Sequence, residues 1–227
     1  MSFDIVGPPA PIQELESRTL DYGRFYKEPD RNTWIPSVTT VVSHNTKQGI
    51  LDWQSRVGFT EAEKIRHASS WRGTKYHNIV EHYLKNELEK VKESTGLPAY
   101  LFRASRQTLD RISNIHVIEA PLYSNRLGIA GRVDCIAEFD GSLAIIDFKT
   151  TKQLKKEQYL EKFFVQESAY AYMYYERTGV EVDKLVTLSV AEDGSVQVAE
   201  KYDKIPYINT LIDWITEYNY YIGSINK

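Results

Sequence analysis

Three side chains in the middle of the chain have the types and spacing to bind a hard cation and activate water. Asp147 and Lys149 flank Phe148 at the end of the apolar run Leu143-Ala144-Ile145-Ile146, which reads as a buried strand. Residues i and i+2 of a strand share one face because side chains alternate, so the acid and the ammonium stand together. Opposite charges at a buried edge need a task or a close partner. Asp134, thirteen residues upstream, ends another strand-like segment, Gly128–Asp134. Two aspartates and a lysine brought together offer oxygen ligands to a divalent cation, with an amine beside it to orient and help deprotonate water. Among the 31 acidic residues no other has a lysine two positions on, so the pairing has no internal competitor. A salt bridge at a strand end is the plain alternative.

The elements that would position these groups follow from patterning. Between about Trp71 and Lys92, Ile79, Val80, Tyr83, Leu84 and Leu88 recur at helical spacing. This predicts a long amphipathic helix carrying His77 and, one turn on, Glu81. Upstream, Thr60 and Glu63 have capping-box spacing for a helix toward Ser70. Gly49–Val57 reads as a short helix, and Ser37 as the cap of another through Val38–Val42. The segment before Thr33, with Pro8, Pro9, Pro11 and Pro29, reads as extended or loop-like, with a hairpin around Tyr22–Trp34. Downstream, Pro98 opens a helix predicted to reach Asn114.

Three strands come next, His116–Tyr123, Gly128–Phe139 and Ser142–Thr150, the last two joined by the hairpin signal Asp140-Gly141. Glu157–Arg177 is predicted helical, placing Gln166 and Tyr170 on one face at i and i+4. Leu185–Ala191 and Ser195–Lys201 form a second hairpin around Asp193-Gly194, and a helix from Ile205 to Ile222 closes the order. Helices before and after a central mixed sheet define α/β or α+β architecture.

Composition limits the function. At 227 residues and 42% hydrophobic the chain can bury one sizeable core. The single cysteine, Cys135, excludes an internal disulfide, a zinc ribbon and a cysteine-ligated iron–sulfur cluster. No apolar stretch approaches the ~20 residues of a membrane span, and the N-terminus lacks a charged-then-apolar signal pattern, so a cytoplasmic, soluble protein is expected, and a monomer is taken as its working form. A net charge of −3 argues against an architectural duplex binder. It leaves room for a site whose bound cations reverse the local sign. Sixteen tyrosines and four tryptophans offer stacking faces for unpaired bases, though most aromatic residues are ordinary core.

Four segments, Arg72-Gly73-Thr74-Lys75-Tyr76-His77, Gly131-Arg132-Val133-Asp134, Asp147-Phe148-Lys149-Thr150 and Gln166-Glu167-Ser168-Ala169-Tyr170, occur in an order that resembles the PD-(D/E)XK nuclease superfamily. The likeness is to its RecB-like exonuclease branch, which includes phage-encoded and mitochondrial exonucleases. Pro36–Val41 also looks like the N-terminal segment of those members. Val133 stands where the superfamily's proline would be; RecB-like members commonly tolerate that. The resemblance implies a restriction-endonuclease-like core over residues 71–227 with a helical extension, residues 1–70, forming an arch over the site. It also implies metal-dependent hydrolysis of DNA with Mg²⁺ or Mn²⁺, giving 5′-phosphate products.

Carried over residue by residue, the resemblance makes Asp134, Asp147, Lys149, Gln166 and Tyr170 the catalytic set. His77, Asp134, Asp147 and the Phe148 carbonyl become metal ligands. Imidazole suits Mn²⁺ better than Mg²⁺, and His77 read alone is equally a structural helix residue. Glu119 is either a ligand through metal-bound water or a hydrogen-bonded strand acid. Glu81 is either an orienting partner of His77 or a solvated acid. Arg72, Lys75, Thr150, Thr151, Lys152 and Lys155, with Lys156, would track the phosphate backbone, although charge runs are usually solvated faces. The many aromatics favour single-stranded DNA ends as substrate. The alternatives are a duplex-processing phage recombination exonuclease and a silent DNA-end binding module.

Overall fold

The computed structural model describes residues 2–225. A five-stranded sheet organises it, in the order β4 (Ile112–Ser124), β5 (Ile129–Phe139), β6 (Ser142–Thr151), β7 (Lys184–Ala191), β8 (Val196–Lys201). All neighbours are antiparallel except β6 and β7, which are parallel and joined by a crossover through α6 (Glu161–Thr178). The sheet is therefore mixed and flanked by helices, the expected α+β class. The β5–β6 turn has positive φ at both Asp140 (51°) and Gly141 (75°), the mirror-image turn whose twist matches two flanking strands.

Each face of the sheet has its own core. On one face α6, α1 (Val38–Asn45) and α7 (Ile205–Ile225) bury Val41, Phe164, Met173 and Leu211 against Val133, Ile136 and Ile145. On the other, α3 (Phe59–Leu84) and α5 (Gly96–Leu109) bury Tyr76, Val80 and Leu101 against Ile146, Phe148 and Val186. The strand period of two thus sends Ile145 and Ile146 to opposite cores.

Several boundaries differ from the sequence reading. The N-terminal stretch is loop-like only as far as residue 16: β1 (Ser17–Leu20), β2 (Gly23–Glu28) and β3 (Thr33–Pro36) then form a three-stranded antiparallel sheet, of which β2–β3 is the expected hairpin. Ser37 caps α1 as anticipated, accepting the Thr40 N–H at 3.0 Å. α2 (Lys47–Val57) ends at Gly58, but Thr60 makes no capping box. Instead α3 starts at Phe59 and runs unbroken for 26 residues through position 70, merging two expected helices.

α3 also ends early, at Leu84, because Asn86 adopts φ 62°. The Asn86 side chain accepts the Phe3 N–H at 2.7 Å and donates to the Phe3 carbonyl at 3.0 Å, so docking of the N-terminal segment stops the helix. Leu88–Lys92 forms a separate short helix, α4. α5 ends at Leu109 rather than Asn114, and β4 starts earlier than expected, at Ile112. Phe25, Val38 and Val41 belong to the same core as α6, so residues 1–70 share an apolar interior with the sheet. No helix among the described residues is long and apolar enough to cross a membrane.

Candidate metal and catalytic site

The β5–β6 ladder runs from Phe139↔Ser142 to Cys135↔Ile146 and stops. One residue further along each strand stand Asp134 and Asp147. Beyond them β5 stays with β4 while β6 stays with β7, so the sheet forks at the two aspartates. The fork parts β6 amides from β5 acceptors, and a buried N–H must find one. Asp134 Oδ2 accepts the Phe148 N–H at 2.9 Å.

On the α3 side of the fork His77 Nδ1 lies 3.6 Å from both Glu119 Oε1 and Asp134 Oδ2. Glu119 sits between Ile118 and Ala120, which pair with Cys135 and Val133, and so stands across the ladder from Asp134. Its φ is 49°, a left-handed conformation that costs a glutamate on the order of 1 kcal/mol or more. The Arg132 guanidinium holds this bend by donating to the Glu119 carbonyl and, at 2.6 Å, to Glu14. Arg132 belongs to a quoted sequence segment, but its role emerges only here.

Burial alone would lower the His77 pKa, but the Asp134 charge and the Glu119 hydrogen bond outweigh it and raise it to about 9. An imidazolium between two carboxylates occupies the place of a cation. The ligand atoms of His77, Glu119 and Asp134 all lie within 4.8 Å of one another. Two ligands about 2.1 Å from one ion are at most about 4.2 Å apart, and both histidine–carboxylate separations meet that limit. This N/O set fits a divalent metal ion. Of the expected ligands, Asp147 stands beside the trio rather than in it. Glu81 does not orient His77: its carboxylate is taken by Lys85 at 2.7 Å, one helical turn on.

On the α6 side Asp147 is buried and ion-paired with Lys149, and Gln166 Nε2 donates to Asp147 Oδ1 at 3.5 Å. Burial, with the Asp134 charge, raises the Asp147 pKa to about 6 against the pull of Lys149. Lys149 is pushed above the ordinary lysine range. Burial acts the other way, but the charges of Asp147 and Asp134 outweigh it, so the group stays an ammonium donor. Tyr170 is likewise pushed above the ordinary phenol range by burial and by both aspartates, which keeps its O–H proton. Gly131 leaves the space that the Tyr170 ring fills.

Glu167 is a further member of this side that the sequence reading passed over. It is 0% exposed, accepts a hydrogen bond from Thr187 Oγ1, and is raised well above the usual carboxylate range by burial and the Asp147 charge. Thr187 is the β7 partner of Asp147. The available signal was a lone acid within Phe163–Tyr174, a stretch otherwise apolar, aromatic or uncharged.

The expected backbone-tracking residues separate. Arg72 is buried, ion-paired to Glu192 and bonded to Thr150 Oγ1 at 3.2 Å. Its guanidinium is thus consumed in clamping α3 to β6 and the β7–β8 turn, and Thr150 with it. Thr151 Oγ1 donates to the Gln153 carbonyl at 2.8 Å. Lys75 lines a different cleft, with Trp71, His82 and Lys90. Lys152, Lys155 and Lys156 remain exposed.

A forked mixed sheet with His77, Glu119, Asp134, Asp147 and Lys149 at the fork is the architecture of a phosphodiester-cleaving nuclease fold. Residues 50–217 match the PD-(D/E)XK nuclease superfamily, and the chain belongs to that family. Among curated proteins, human mitochondrial genome maintenance exonuclease 1 is 28% identical over 138 residues, 57% of this chain and 40% of that protein. The matched segment therefore spans well under half of that relative's length. Among solved structures, SSO0001 is similar with a TM-score of 0.43 and 16% identity, covering 79% of this chain and 74% of that one.

Proposed function

We propose that the protein is a divalent-metal-dependent DNA exonuclease that acts on single-stranded ends and leaves 5′-phosphates. The observation that supports it best is the meeting, at one fork in the sheet, of the His77/Glu119/Asp134 cluster with the Asp147–Lys149 pair. The name of the human relative adds the exonuclease reading. His77, Glu119, Asp134 and Asp147 would hold Mg²⁺ or Mn²⁺, which supplies Lewis acidity toward a phosphoryl oxygen when bound.

The remaining work falls to this chain's own groups. Lys149, kept as an ammonium by two carboxylates, donates to and orients the attacking water. Gln166 holds Asp147 in place through its amide. Tyr170 keeps its proton and offers a neutral donor to a phosphate oxygen. α2, from the N-terminal 70 residues, faces the start of α6 across a cleft, and we assign it to the arch over residues 71–227. We take the working form to be a cytoplasmic monomer.

Hydrolysis of end-labelled linear single strands, closed single-stranded circles and blunt duplexes, with and without EDTA, tests the reading. Metal-dependent release from linear single strands, with circles intact, is expected. Lys149→Ala and Asp147→Asn should each lower the rate at least a hundredfold. Normal digestion by either variant overturns the assignment, and efficient cutting of circles removes the need for an end. Tight end binding without cleavage at any metal concentration would favour the silent module.

A further inference from the structure

The cleft between α2 and the start of α6 encloses about 640 Å³ and is walled by Ile50, Trp53, Lys155, Tyr159, Lys162 and Trp214. Its chemistry is unlike the metal site's, for it joins aromatic faces to ammonium groups. Lys155 Nζ lies 5.5 Å and Lys162 Nζ 5.4 Å from the centroid of the Phe163 ring. Lys149 Nζ lies 5.1 Å from the same centroid. One aromatic ring therefore links the cleft to the catalytic lysine.

Among the described residues neither Lys155 nor Lys162 has an ion-pair partner, whereas Lys149 has Asp147 and Lys201 has Glu157. Glu161 is the acid on the cleft wall, and its charge also bears on Tyr207 and Lys201. Burial and the neighbouring ammonium groups hold both lysines below the ordinary lysine range. Lys155 still meets solvent, as a group on a concave wall can. The segment bearing it is fixed from below, since Gln197 Nε2 donates to the Lys155 carbonyl at 3.2 Å and Lys201 Nζ to Glu157 at 2.5 Å. Two ammonium groups without an ion-pair partner on one wall attract an anion. The exposed Tyr159 and the half-buried Trp53 and Trp214 beside them suit a ligand that also carries flat rings.

We propose that this cleft is the subsite for the unpaired DNA strand next to the cut bond, with Lys155 and Lys162 on its phosphates and Trp53, Tyr159 and Trp214 against its bases. The assignment rests on the nuclease reading above and names where its substrate lies. A duplex has its base faces stacked inside and cannot use the aromatic wall. An isolated phosphate uses the lysines alone.

Strand binding measured in EDTA tests this apart from catalysis. Fluorescence anisotropy of a labelled short oligothymidylate is followed against salt for the wild type, Lys155→Gln/Lys162→Gln and Trp53→Leu, with circular dichroism melts confirming that each variant is folded. The double variant is expected to bind at least tenfold more weakly. Its salt dependence, as log K against log salt, should be shallower by roughly 0.7 for each lysine removed. Trp53→Leu should weaken binding fivefold or more while leaving the salt slope intact, a response that loss of charge does not give. Wild-type affinity and slope in the double variant overturn the proposal. So does a blunt duplex bound as tightly as the single strand, or full displacement of the strand by millimolar inorganic phosphate. A wild type that binds the strand but never cuts it with Mg²⁺ or Mn²⁺ overturns the catalytic reading and leaves the cleft assignment standing.

Discussion

Gly131 on β5 lies against the ring of Tyr170 on α6: a β-carbon at position 131 would meet Tyr170 Cε1 at 2.9 Å and its hydroxyl at 3.0 Å. The glycine is thus part of the site, because it sets how closely the tyrosine approaches Asp134, three residues on. Gly131→Ala should displace the ring and cost about 1–3 kcal/mol, the usual scale of overpacking. Cleavage should fall more steeply than stability. Melting temperature and initial rate on one preparation check this. An alanine variant with full activity would show that the position of Tyr170 is irrelevant.

The pH dependence of the metal-free protein should report His77. Its folded pKa of about 9 exceeds the unfolded value near 6.5. Its contribution is therefore fully present below the unfolded value and lost as pH rises toward 9. Each pKa unit carries about 1.4 kcal/mol, and a chain of this size changes by roughly 2–4 °C per kcal/mol. The melting temperature in EDTA should drop by several degrees between pH 6.5 and 9, and His77→Asn should flatten the drop. Since a metal ligand must be deprotonated, metal affinity should rise over the same interval, which calorimetry at the two pH values measures.

Glu167 allows a prediction of opposite kind to a catalytic one. Its raised pKa means that the folded state favours the neutral acid, so ionisation as pH rises costs stability. Glu167→Gln keeps the shape and the acceptor for Thr187 without the charge. We expect the glutamine variant to be more stable than wild type at pH 8, by on the order of 1 kcal/mol, and equal to it near pH 4. Chemical denaturation at both pH values decides. A variant less stable at pH 8 would mean that the carboxylate charge itself holds the fold.

The contrast between Glu167 and Asp147 shows which parts of the site sequence reveals. Asp147 and Lys149 were legible because strand alternation puts a single Asp-x-Lys pair on one face, Asp134 because it lies on the strand before the hairpin, and Gln166 and Tyr170 because a helix repeats every 3.6 residues. The mixed sheet and its two hairpins were legible for the same local reasons. Glu119 was only half legible: its place beside His77 depends on a left-handed strand residue held by Arg132, and no short-range pattern encodes that. The early end of α3 depends on Asn86 meeting Phe3, 83 positions away. The burial of Arg72 depends on Glu192, 120 positions away. Basic residues beside a motif look alike in sequence whether the fold exposes or consumes them.

Arg72 supplies the sharpest separation of those two fates. Its guanidinium spans Glu192 and Thr150, and a lysine cannot reproduce that planar, several-donor geometry. Arg72→Lys should lower stability by about 1–3 kcal/mol, the cost of leaving buried polar partners poorly met. The salt slope of single-strand binding should stay at the wild-type value, because no phosphate contact is lost. Denaturant melts paired with anisotropy titrations measure both quantities. A shallower slope with unchanged stability would return Arg72 to the phosphate-tracking residues and leave the clamp to Thr150 alone.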